Sequence, residues 1–195
     1  MDWDAAYEQE SAAPWDIGRP QPAFVRLADS GALSGPLLDA GCGTGEHALL
    51  AAARGLDATG VDISAVAIGR ARAKAAARGL AARFEAGDAL HLASLGTEFG
   101  TVIDSGLFHA LSDPERAAYV ASLASVVRPG GVVHLMCFSD QQPGDWGPRR
   151  VRREELEAAF ADGWQVVDIT PSEFEINPGF GSPTAQAWLA TLRRN

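Results

Sequence analysis

A glycine-rich turn is the segment of this sequence best suited to hold a ligand. Gly41, Gly43 and Gly45 stand at alternate positions between the apolar run 36–40 and an Ala/Leu-rich stretch. Glycine permits positive φ angles and lets a ligand lie against the backbone and the start of the following helix. A tight strand-to-helix turn alone would need only one or two of these glycines. The alternation therefore indicates a binding site.

Two acidic residues at the ends of the next two β-rich runs are placed to complete such a site. Asp62 ends the run 57–62, where a carboxylate can accept hydrogen bonds from both ribose hydroxyls. Asp88 follows the run 81–87, where it can meet the exocyclic amine of an adenine. The alternatives are an Asp62 that helps to cap the following helix and an Asp88 that only forms a turn or caps a helix. Together the three positions predict an adenosine lying across the strand ends.

Short β-rich runs alternate with Ala-rich helical stretches from Pro36 onward. This order predicts a single doubly wound α/β fold, with a mainly parallel, seven-stranded, Rossmann-like sheet, an antiparallel last strand and an N-terminal helical cap. The predicted strands are 36–40, 57–62, 81–87, 101–105, 131–138, 164–170 and 184–192. The predicted helices are 4–10, 22–33, 45–54, 64–78, 113–127 and 151–161. We expect residues 1–195 to form one domain, in which 1–35 are the cap and 36–195 the core.

The helix boundaries carry capping signals. Ser64 is predicted to cap the second core helix, and Gly79 to close it. Asp113 is predicted to cap the third core helix, with Pro114 at its first position. The segment Arg-Pro-Gly-Gly at 128–131 is expected to stop that helix.

Composition and charge argue against several classes of function. The content of 47% hydrophobic and 21% charged residues is ordinary for a globular protein. The longest apolar runs, 48–53 and 132–138, are far below the roughly 18 residues that span a bilayer. With no leader-like start, we expect a soluble cytoplasmic protein without a membrane partner. Because the net charge is -9, nucleic acid is a poor partner. Cys42 and Cys137 lack ligand spacing, so no metal site is expected.

Four motifs, in this order, resemble those of the class I S-adenosylmethionine-dependent methyltransferases. They are Leu-Asp-Ala-Gly-Cys-Gly-Thr-Gly (38–45), Gly-Val-Asp-Ile-Ser (60–64), Gly-Asp-Ala (87–89) and Arg-Pro-Gly-Gly (128–131). The resemblance implies S-adenosylmethionine as methyl donor and S-adenosylhomocysteine as product. The cofactor-binding residues that it implies, with those we add from the surrounding segments, are Trp15, Asp39, Gly41, Cys42, Gly43, Thr44, Gly45, Asp62, Ile63, Gly87, Asp88, Ala89, Asp104 and Ser105.

Two further segments are similar to a narrower branch, the thiopurine, thiol and halide methyltransferases, and to bacterial enzymes that methylate small heterocycles, quinones or thiols. They are residues 11–22, which contain Pro-Trp-Asp, and residues 104–111. In that branch the Pro-Trp-Asp segment folds over the cofactor and helps to close the acceptor pocket. The expected acceptor is a small thiol, heterocycle or phenol/quinone-type molecule, methylated on sulfur, nitrogen or oxygen. The residues expected to contact it are Trp15, Asp16, Phe108, His109 and Phe138.

Methyl transfer from a sulfonium is an in-line displacement, so the enzyme chiefly aligns the acceptor and excludes water. A thiolate needs little help, whereas a phenol with a pKa of about 10 benefits from a base. His109 and Asp104, at or near the end of the run 101–105, are the candidate catalytic residues. His109 is interpreted as a general base, as an acceptor-orienting group or as a structural histidine. The other histidines are expected to be structural: His47, His91 and His134.

Two other functions stay open on the sequence alone. An NAD-linked oxidoreductase also has a Gly-rich turn followed by an acidic residue, but the chain has no Tyr-x-x-x-Lys pair, and its turn at 41–45 differs from Gly-x-Gly-x-x-Gly. A module that binds S-adenosylmethionine without catalysis is the second alternative. Trp15 has an alternative role too, as a hydrophobic staple for the N-terminal helix. A monomer is slightly preferred, because no long apolar surface helix is evident.

Overall fold

The computed structural model describes residues 2–8, 13–177 and 182–195, and its seven strands form one sheet. The strands are β1 Leu37–Ala40, β2 Ala58–Asp62, β3 Ala82–Ala86, β4 Phe99–Ser105, β5 Val127–Phe138, β6 Trp164–Glu175 and β7 Thr184–Arg194. The α-helices are α1 Trp3–Glu8, α2 Pro22–Asp29, α3 Glu46–Ala53, α4 Ala65–Arg78, α5 Asp113–Val126 and α6 Arg153–Ala159. Two short 3₁₀ helices span Ala89–Leu95 and Phe108–Ala110.

The strand order places a ligand cleft beside β1. The order across the sheet is β3-β2-β1-β4-β5-β7-β6, and the pairs among β1 to β5 are parallel. β7 lies between β5 and β6 and runs antiparallel to both. This confirms the predicted mainly parallel sheet with an antiparallel last strand. From β1 the chain continues to β2 and β3 on one side, and it then crosses to β4 on the other side of β1. The carboxyl end of β1 is therefore the topological switch point where open α/β sheets bind ligands.

Apolar side chains cover both faces of the sheet. On one face, Phe24 of α2, Leu49 of α3 and Ile68 of α4 are buried. On the other face, Leu123 of α5 and Leu156 of α6 are buried. Burial of such side chains removes apolar surface from water and fixes the strand ends relative to the helices. No helix in the described ranges is long and apolar enough to cross a bilayer.

The start of α5 differs from the prediction by one residue. The N-cap is Ser112 rather than Asp113, which is the first helical residue. Glu115 Oε2 accepts hydrogen bonds from Ser112 N–H at 2.7 Å and Ser112 Oγ–H at 2.6 Å. The two hydrogen bonds from Ser112 to Glu115 close the first helical turn, so Ser112 and not Asp113 stands at the cap.

Other boundaries also differ from the predictions. β5 begins at Val127 and runs through the Arg-Pro-Gly-Gly segment, where a loop was expected. β6 continues to Glu175, five residues beyond the predicted end, because it pairs with β7 along its length. Helices α2 and α6 are shorter than the predicted 22–33 and 151–161. Residues 9 and 10 of the predicted first helix lie outside the described residues, as do Ser11 and Ala12 of the segment 11–22.

Candidate active site

The turn between β1 and α3 has the left-handed geometry that its glycines permit. Gly43 has a φ of 52° and Gly45 a φ of 87°. A Cβ at Gly43 would lie 2.6 Å from the Tyr7 hydroxyl, and one at Gly45 would lie 2.6 Å from the Phe84 ring. Positive φ and close contact both exclude a side chain at these positions. The turn is therefore shaped by α1 on its outer side and by β3 beneath it.

Asp62 joins the end of β2 to the glycine turn. Its Oδ2 accepts the Gly43 N–H at 2.8 Å, and its Oδ1 accepts the Ser64 N–H at 2.9 Å. Burial raises the pKa of Asp62 above its usual value. The structure thus brings together the turn and the carboxylate that the sequence singled out, while the adjacent Ile63 is 60% exposed.

The segment with Gly87 and Asp88, the third position predicted to contact the cofactor, lies next to Asp62. The Gly87 N–H donates to the Asp62 carbonyl oxygen at 2.9 Å, so the ends of β2 and β3 are tied together. Asp88 Oδ1 accepts the Leu90 N–H at 2.9 Å and caps the 3₁₀ helix that begins at Ala89. This capping role was the alternative given for Asp88, and the adenine contact stays a prediction.

Asp39 fixes the start of α3 from within the sheet. Its side chain is buried, and Oδ2 accepts the Ala48 N–H at 3.0 Å. Burial raises the pKa of Asp39 to about 7. The carboxylate therefore anchors the helix whose N-terminus borders the cleft, and its contact with the cofactor remains an expectation.

Residues 13–21, which we call the strap, and helix α1 roof the glycine turn. The Trp15 indole N–H donates to the Tyr7 hydroxyl at 3.1 Å, and the Thr44 hydroxyl donates to Asp16 Oδ1 at 2.7 Å. Trp15 is 44% exposed, and its ring meets Trp3 and Tyr7 edge-on. Trp15 thus joins the strap to α1 above the turn.

The space beneath this roof is small. The cavity there has a volume of about 70 Å³, whereas sites for ligands of cofactor size occupy roughly 300 Å³ or more. The space under the roof therefore holds only part of a nucleoside cofactor, and Asp62 and Asp88 lie outside its lining. Residues lining the cavity include Tyr7, Trp15, Asp16, Gly41, Cys42, Thr44, His47, Ser105 and Phe174.

A set of ion pairs around the buried Glu46, at the start of α3, was not predicted. Lys74 Nζ donates to Thr44 Oγ1 at 2.6 Å and to Glu46 Oε1 at 2.8 Å, and Arg78 binds both Glu46 oxygens. Burial alone would raise the pKa of Glu46, but the hydrogen bonds from Arg78 and Lys74 hold it below its usual value. The charged glutamate and its two cations thus fix Thr44 at the floor of the cleft. Their spacing in sequence gives no local sign of this arrangement.

Two predicted residues lie below the cleft instead of lining it. Asp104 is buried, and its carboxylate accepts the N–H groups of Leu107 at 2.8 Å and Phe108 at 3.1 Å. Phe108 packs in the core between the Arg116 guanidinium, 4.7 Å from its ring centroid, and Phe160. The chain turns sharply after β4, and Asp104 satisfies the buried N–H groups of that turn. Asp104 is thus placed to hold the turn, and Phe108 to pack beneath it.

His109 is held with one ring nitrogen engaged. Its Nδ1 lies 2.8 Å from the Phe138 nitrogen, which donates its N–H. Burial, with Arg116 and Arg150 nearby, lowers the pKa of His109 to about 3. The ring is therefore neutral at pH 7, and because Nδ1 is an acceptor, the proton resides on Nε2.

Four side chains form an aromatic cluster: Phe138 and Phe174 at the ends of β5 and β6, His109 in the 3₁₀ helix after β4, and Trp146 in the loop after β5. His109 meets Phe138 at 5.1 Å and Phe174 at 5.8 Å between ring centroids. Phe138 lies 5.7 Å from both Trp146 and Phe174. Because Phe174 also lines the cavity, the cluster borders the cleft on the side away from Asp62. Phe174 was not predicted, since β6 was expected to end at residue 170.

The described residues offer no alternative centre for metal chemistry. In residues 2–8, 13–177 and 182–195, no three His, Cys, Asp or Glu side chains are grouped as a metal-ligand set. Cys42 and Cys137 are free and buried, and burial raises the pKa of both thiols.

Comparisons with known proteins agree with this arrangement. Residues 37–131 match the protein family described as "Methyltransferase domain". The chain is 35% identical to a 2-heptyl-1-hydroxyquinolin-4(1H)-one methyltransferase of Mycobacteroides abscessus, over 94% of this chain and 82% of the relative. It is 25% identical to "Probable thiol methyltransferase 2" of Arabidopsis thaliana, over 95% of this chain and 83% of that one.

A solved structure shows the same similarity. It is described as "Conversion of a Disulfide Bond into a Thioacetal Group during Echinomycin Biosynthesis", and it superposes with a TM-score of 0.89 at 40% identity, covering 99% of this chain and 91% of the other. These relatives favour methyl transfer over the hydride transfer and the non-catalytic binding that the sequence left open. The chain belongs to the class I S-adenosylmethionine-dependent methyltransferases and is a small-molecule methyltransferase with S-adenosylmethionine as its methyl donor.

Proposed function

We propose that this enzyme methylates an acidic oxygen on a planar aromatic heterocycle. The observation that carries the proposal is the aromatic cluster around a neutral His109 beside the cleft. The bound cofactor supplies the electrophilic methyl group, and the residues of the chain align the acceptor and exclude water. The relative from Mycobacteroides abscessus, named for a hydroxyquinolinone substrate, supports the same class of acceptor.

The shape of the cluster favours a flat acceptor. The rings of His109 and Phe138 meet at 81° and those of Phe138 and Trp146 at 85°, so they present edges and faces in turn. An aromatic ligand that packs among such rings gains about 0.5–1.5 kcal/mol per contact beyond the burial of its area. Opening of the cleft at Phe174 would place that ligand between the cluster and the cofactor.

The protonation state of His109 favours an acceptor that arrives ionised. Its Nε2 carries the proton and makes no hydrogen bond to any residue that the structure describes, so it is available to donate to an acceptor oxygen. A donor of this kind stabilises an anionic or carbonyl oxygen but cannot remove a proton. Asp104 offers no substitute, because its oxygens already accept backbone N–H groups. An N-hydroxy heterocycle, which is more acidic than a phenol, fits these requirements.

Sulfur is the second candidate acceptor. The similar solved structure is described by disulfide-to-thioacetal chemistry, and the Arabidopsis relative is named as a thiol methyltransferase. A thiolate likewise needs no general base. The same site would then hold the aromatic part of a sulfur compound against Phe138 and Phe174.

The test measures the rate at which the enzyme forms S-adenosylhomocysteine, the product of methyl transfer, with a set of matched acceptors. We expect turnover of 2-heptyl-1-hydroxyquinolin-4(1H)-one and little turnover of the parent 2-heptylquinolin-4(1H)-one or of phenol. Phe174→Leu should lower kcat/KM for the aromatic acceptor about tenfold while leaving S-adenosylmethionine affinity within about twofold, because one ring contact is lost. Turnover of a simple aliphatic thiol, with none of the hydroxyquinolinone, would overturn the oxygen proposal in favour of sulfur.

A further inference from the structure

We propose that Asn177, just after β6, is the positioning residue that holds the strap closed over the cofactor and so sets how fast the cofactor leaves. The proposal depends on the cofactor site described above and not on which acceptor the enzyme uses. Asn177 lies outside every motif from which the cofactor site was predicted. Asn177 lies 164 positions after Ala13 and 161 after Asp16, the strap residues whose carbonyl oxygens its side chain contacts.

Asn177 alone engages three of the strap carbonyls that surround Trp15. Its Nδ2 donates to the carbonyl oxygens of Ala13 at 2.7 Å and Asp16 at 2.8 Å, and its backbone N–H donates to that of Pro14 at 2.9 Å. Both Nδ2 bonds require an amide, because an aspartate of the same shape has no hydrogen to donate. One residue, through its side chain and its backbone N–H, therefore supports the turn that presents Trp15 and Asp16 to the cleft.

Gln21 forms a second attachment to the same end of β6. Its Oε1 accepts the Glu175 N–H at 2.8 Å, and its Nε2 donates to the Glu175 carbonyl oxygen at 3.0 Å. Gln21 is only 3% exposed, so these bonds are shielded from water. The Arg19–Glu175 ion pair at 2.7 Å is exposed and adds little. One end of the strap is thus bonded to Asn177, just after β6, and the other end to Glu175, the last residue of β6.

The strap is also held on the cofactor side. Among the described residues, its hydrogen bonds there are Thr44 Oγ–H to Asp16, Trp15 Nε1–H to Tyr7 and Gln21 N–H to His47 Nε2. The space under this roof is about 70 Å³, so a ligand that enters or leaves this part of the cleft displaces the strap. Because the Asn177 side chain donates two of the hydrogen bonds that hold the strap, their loss should let the strap open more often and release the cofactor sooner.

The test is the dissociation rate of S-adenosylhomocysteine from Asn177→Asp, measured by stopped-flow displacement. The substitution keeps the side-chain shape, removes both donated bonds and places a carboxylate against two carbonyl oxygens. We expect release at least fivefold faster than in the unsubstituted enzyme, and a KM for S-adenosylmethionine that rises more than kcat falls. A merely structural role would lower the thermal unfolding temperature without changing the release rate of the folded fraction.

Glu173→Gln is the matched control, because Glu173 is exposed on the same strand and its carboxylate contacts the Gln186 side chain rather than the strap. Its release rate should equal that of the unsubstituted enzyme. If Asn177→Asp does not fold, Gln21→Glu tests the second attachment, since it loses the donated bond and should speed release by a smaller factor. Unchanged release in whichever of these two variants folds would overturn the proposal. Failure of the unsubstituted enzyme to bind S-adenosylhomocysteine would instead refute the cofactor site. Absence of turnover with every acceptor tested would refute only the proposed acceptor class.

Discussion

His109 carries its proton on Nε2 because the Phe138 N–H occupies Nδ1. The sequence placed this residue near the acceptor but left its role open between base, orienting group and structural histidine. The hydrogen bond from Phe138 supports the orienting role, since the nitrogen that faces Gly106 is a donor. Such a contact forms between residues 29 positions apart and leaves no sign in the local sequence.

We expect kcat/KM to follow the ionisation of the acceptor and to show no step near pH 6.5. The pKa of His109 is lowered to about 3, so the ring stays neutral throughout the range from pH 5 to 9. His109→Gln retains a donor and an acceptor and should keep activity within about tenfold, whereas His109→Leu should lose more. Equal losses in both variants, with a pH step in the unsubstituted enzyme near 6.5, would identify His109 as a base.

Asp62→Ala should weaken S-adenosylmethionine binding by roughly tenfold or more, because the ribose loses charge-assisted hydrogen bonds and the Gly43 and Ser64 N–H groups lose their acceptor. Calorimetric titration measures the effect. Asp57→Ala is the control, since Asp57 is exposed before β2 and pairs with Arg83. An affinity equal to that of the control would contradict the assigned role of Asp62.

Helix α1 docks on the start of α4 through a single carboxylate. Asp4 Oδ1 accepts the Ser64 Oγ–H at 2.6 Å and the Val66 N–H at 3.2 Å, at the end of α4 where the helix dipole favours negative charge. The hydrogen bond from Ser64 lowers the pKa of Asp4 below its usual value. Since α1 carries Tyr7 onto the glycine turn, its docking and cofactor binding should be linked.

Asp4→Asn should therefore weaken S-adenosylmethionine binding about two- to fivefold, because it removes the negative charge at the start of α4 and loosens the roof. Binding is measured by calorimetry at pH 7.5. Glu8→Gln removes a charge from the exposed side of the same helix and should leave affinity unchanged. Identical affinities for both variants would show that α1 docking does not contribute to cofactor binding.

The predictable elements were those with local signals. The alternation of β-rich and Ala-rich stretches and the spaced glycines gave the sheet, its order of elements and the turn at 41–45. The start of β5 was missed because proline and glycine usually interrupt strands, yet Val127 pairs with Phe99 across the sheet. The end of β6, with Phe174 and Asn177, was missed because its partners are β7 and a strap far away in sequence.

The molecule as a whole buries three neutral histidines. Burial lowers the pKa of His47 to about 4, of His109 to about 3 and of His134 to about 4. Below pH 6.5 the unfolded chain binds protons that these folded sites reject, so each site lowers the stability by up to about 1.4 kcal/mol per pH unit. Asp39 and Asp104, whose pKa values burial raises to about 7, act in the opposite direction between pH 7 and 4, and so does Asp62, whose pKa burial also raises.

We expect His134→Gln to remove one of these opposing contributions. Relative to the unsubstituted enzyme, its free energy of unfolding should fall less steeply, or rise more steeply, as the pH drops from 6.5 to 4.5, by up to about 1.4 kcal/mol per pH unit. His134 lies in β5, where its Nδ1 contacts Thr191, so the substitution leaves the cleft unchanged. Urea unfolding at pH 6.5, 5.5 and 4.5 measures both slopes, and equal slopes would show that His134 does not titrate on unfolding.

The attachment of the strap to β6 also bears on how the enzyme matures during synthesis. The ribosome makes Ala13 and Asp16 early and Asn177 late, so a nascent chain that already contains β1 and α3 lacks the hydrogen bonds from Asn177 that hold the strap. Folding during translation proceeds from the N-terminus. On the proposed role of Asn177, tight retention of the methyl donor is therefore acquired late, after the last long hairpin begins to form.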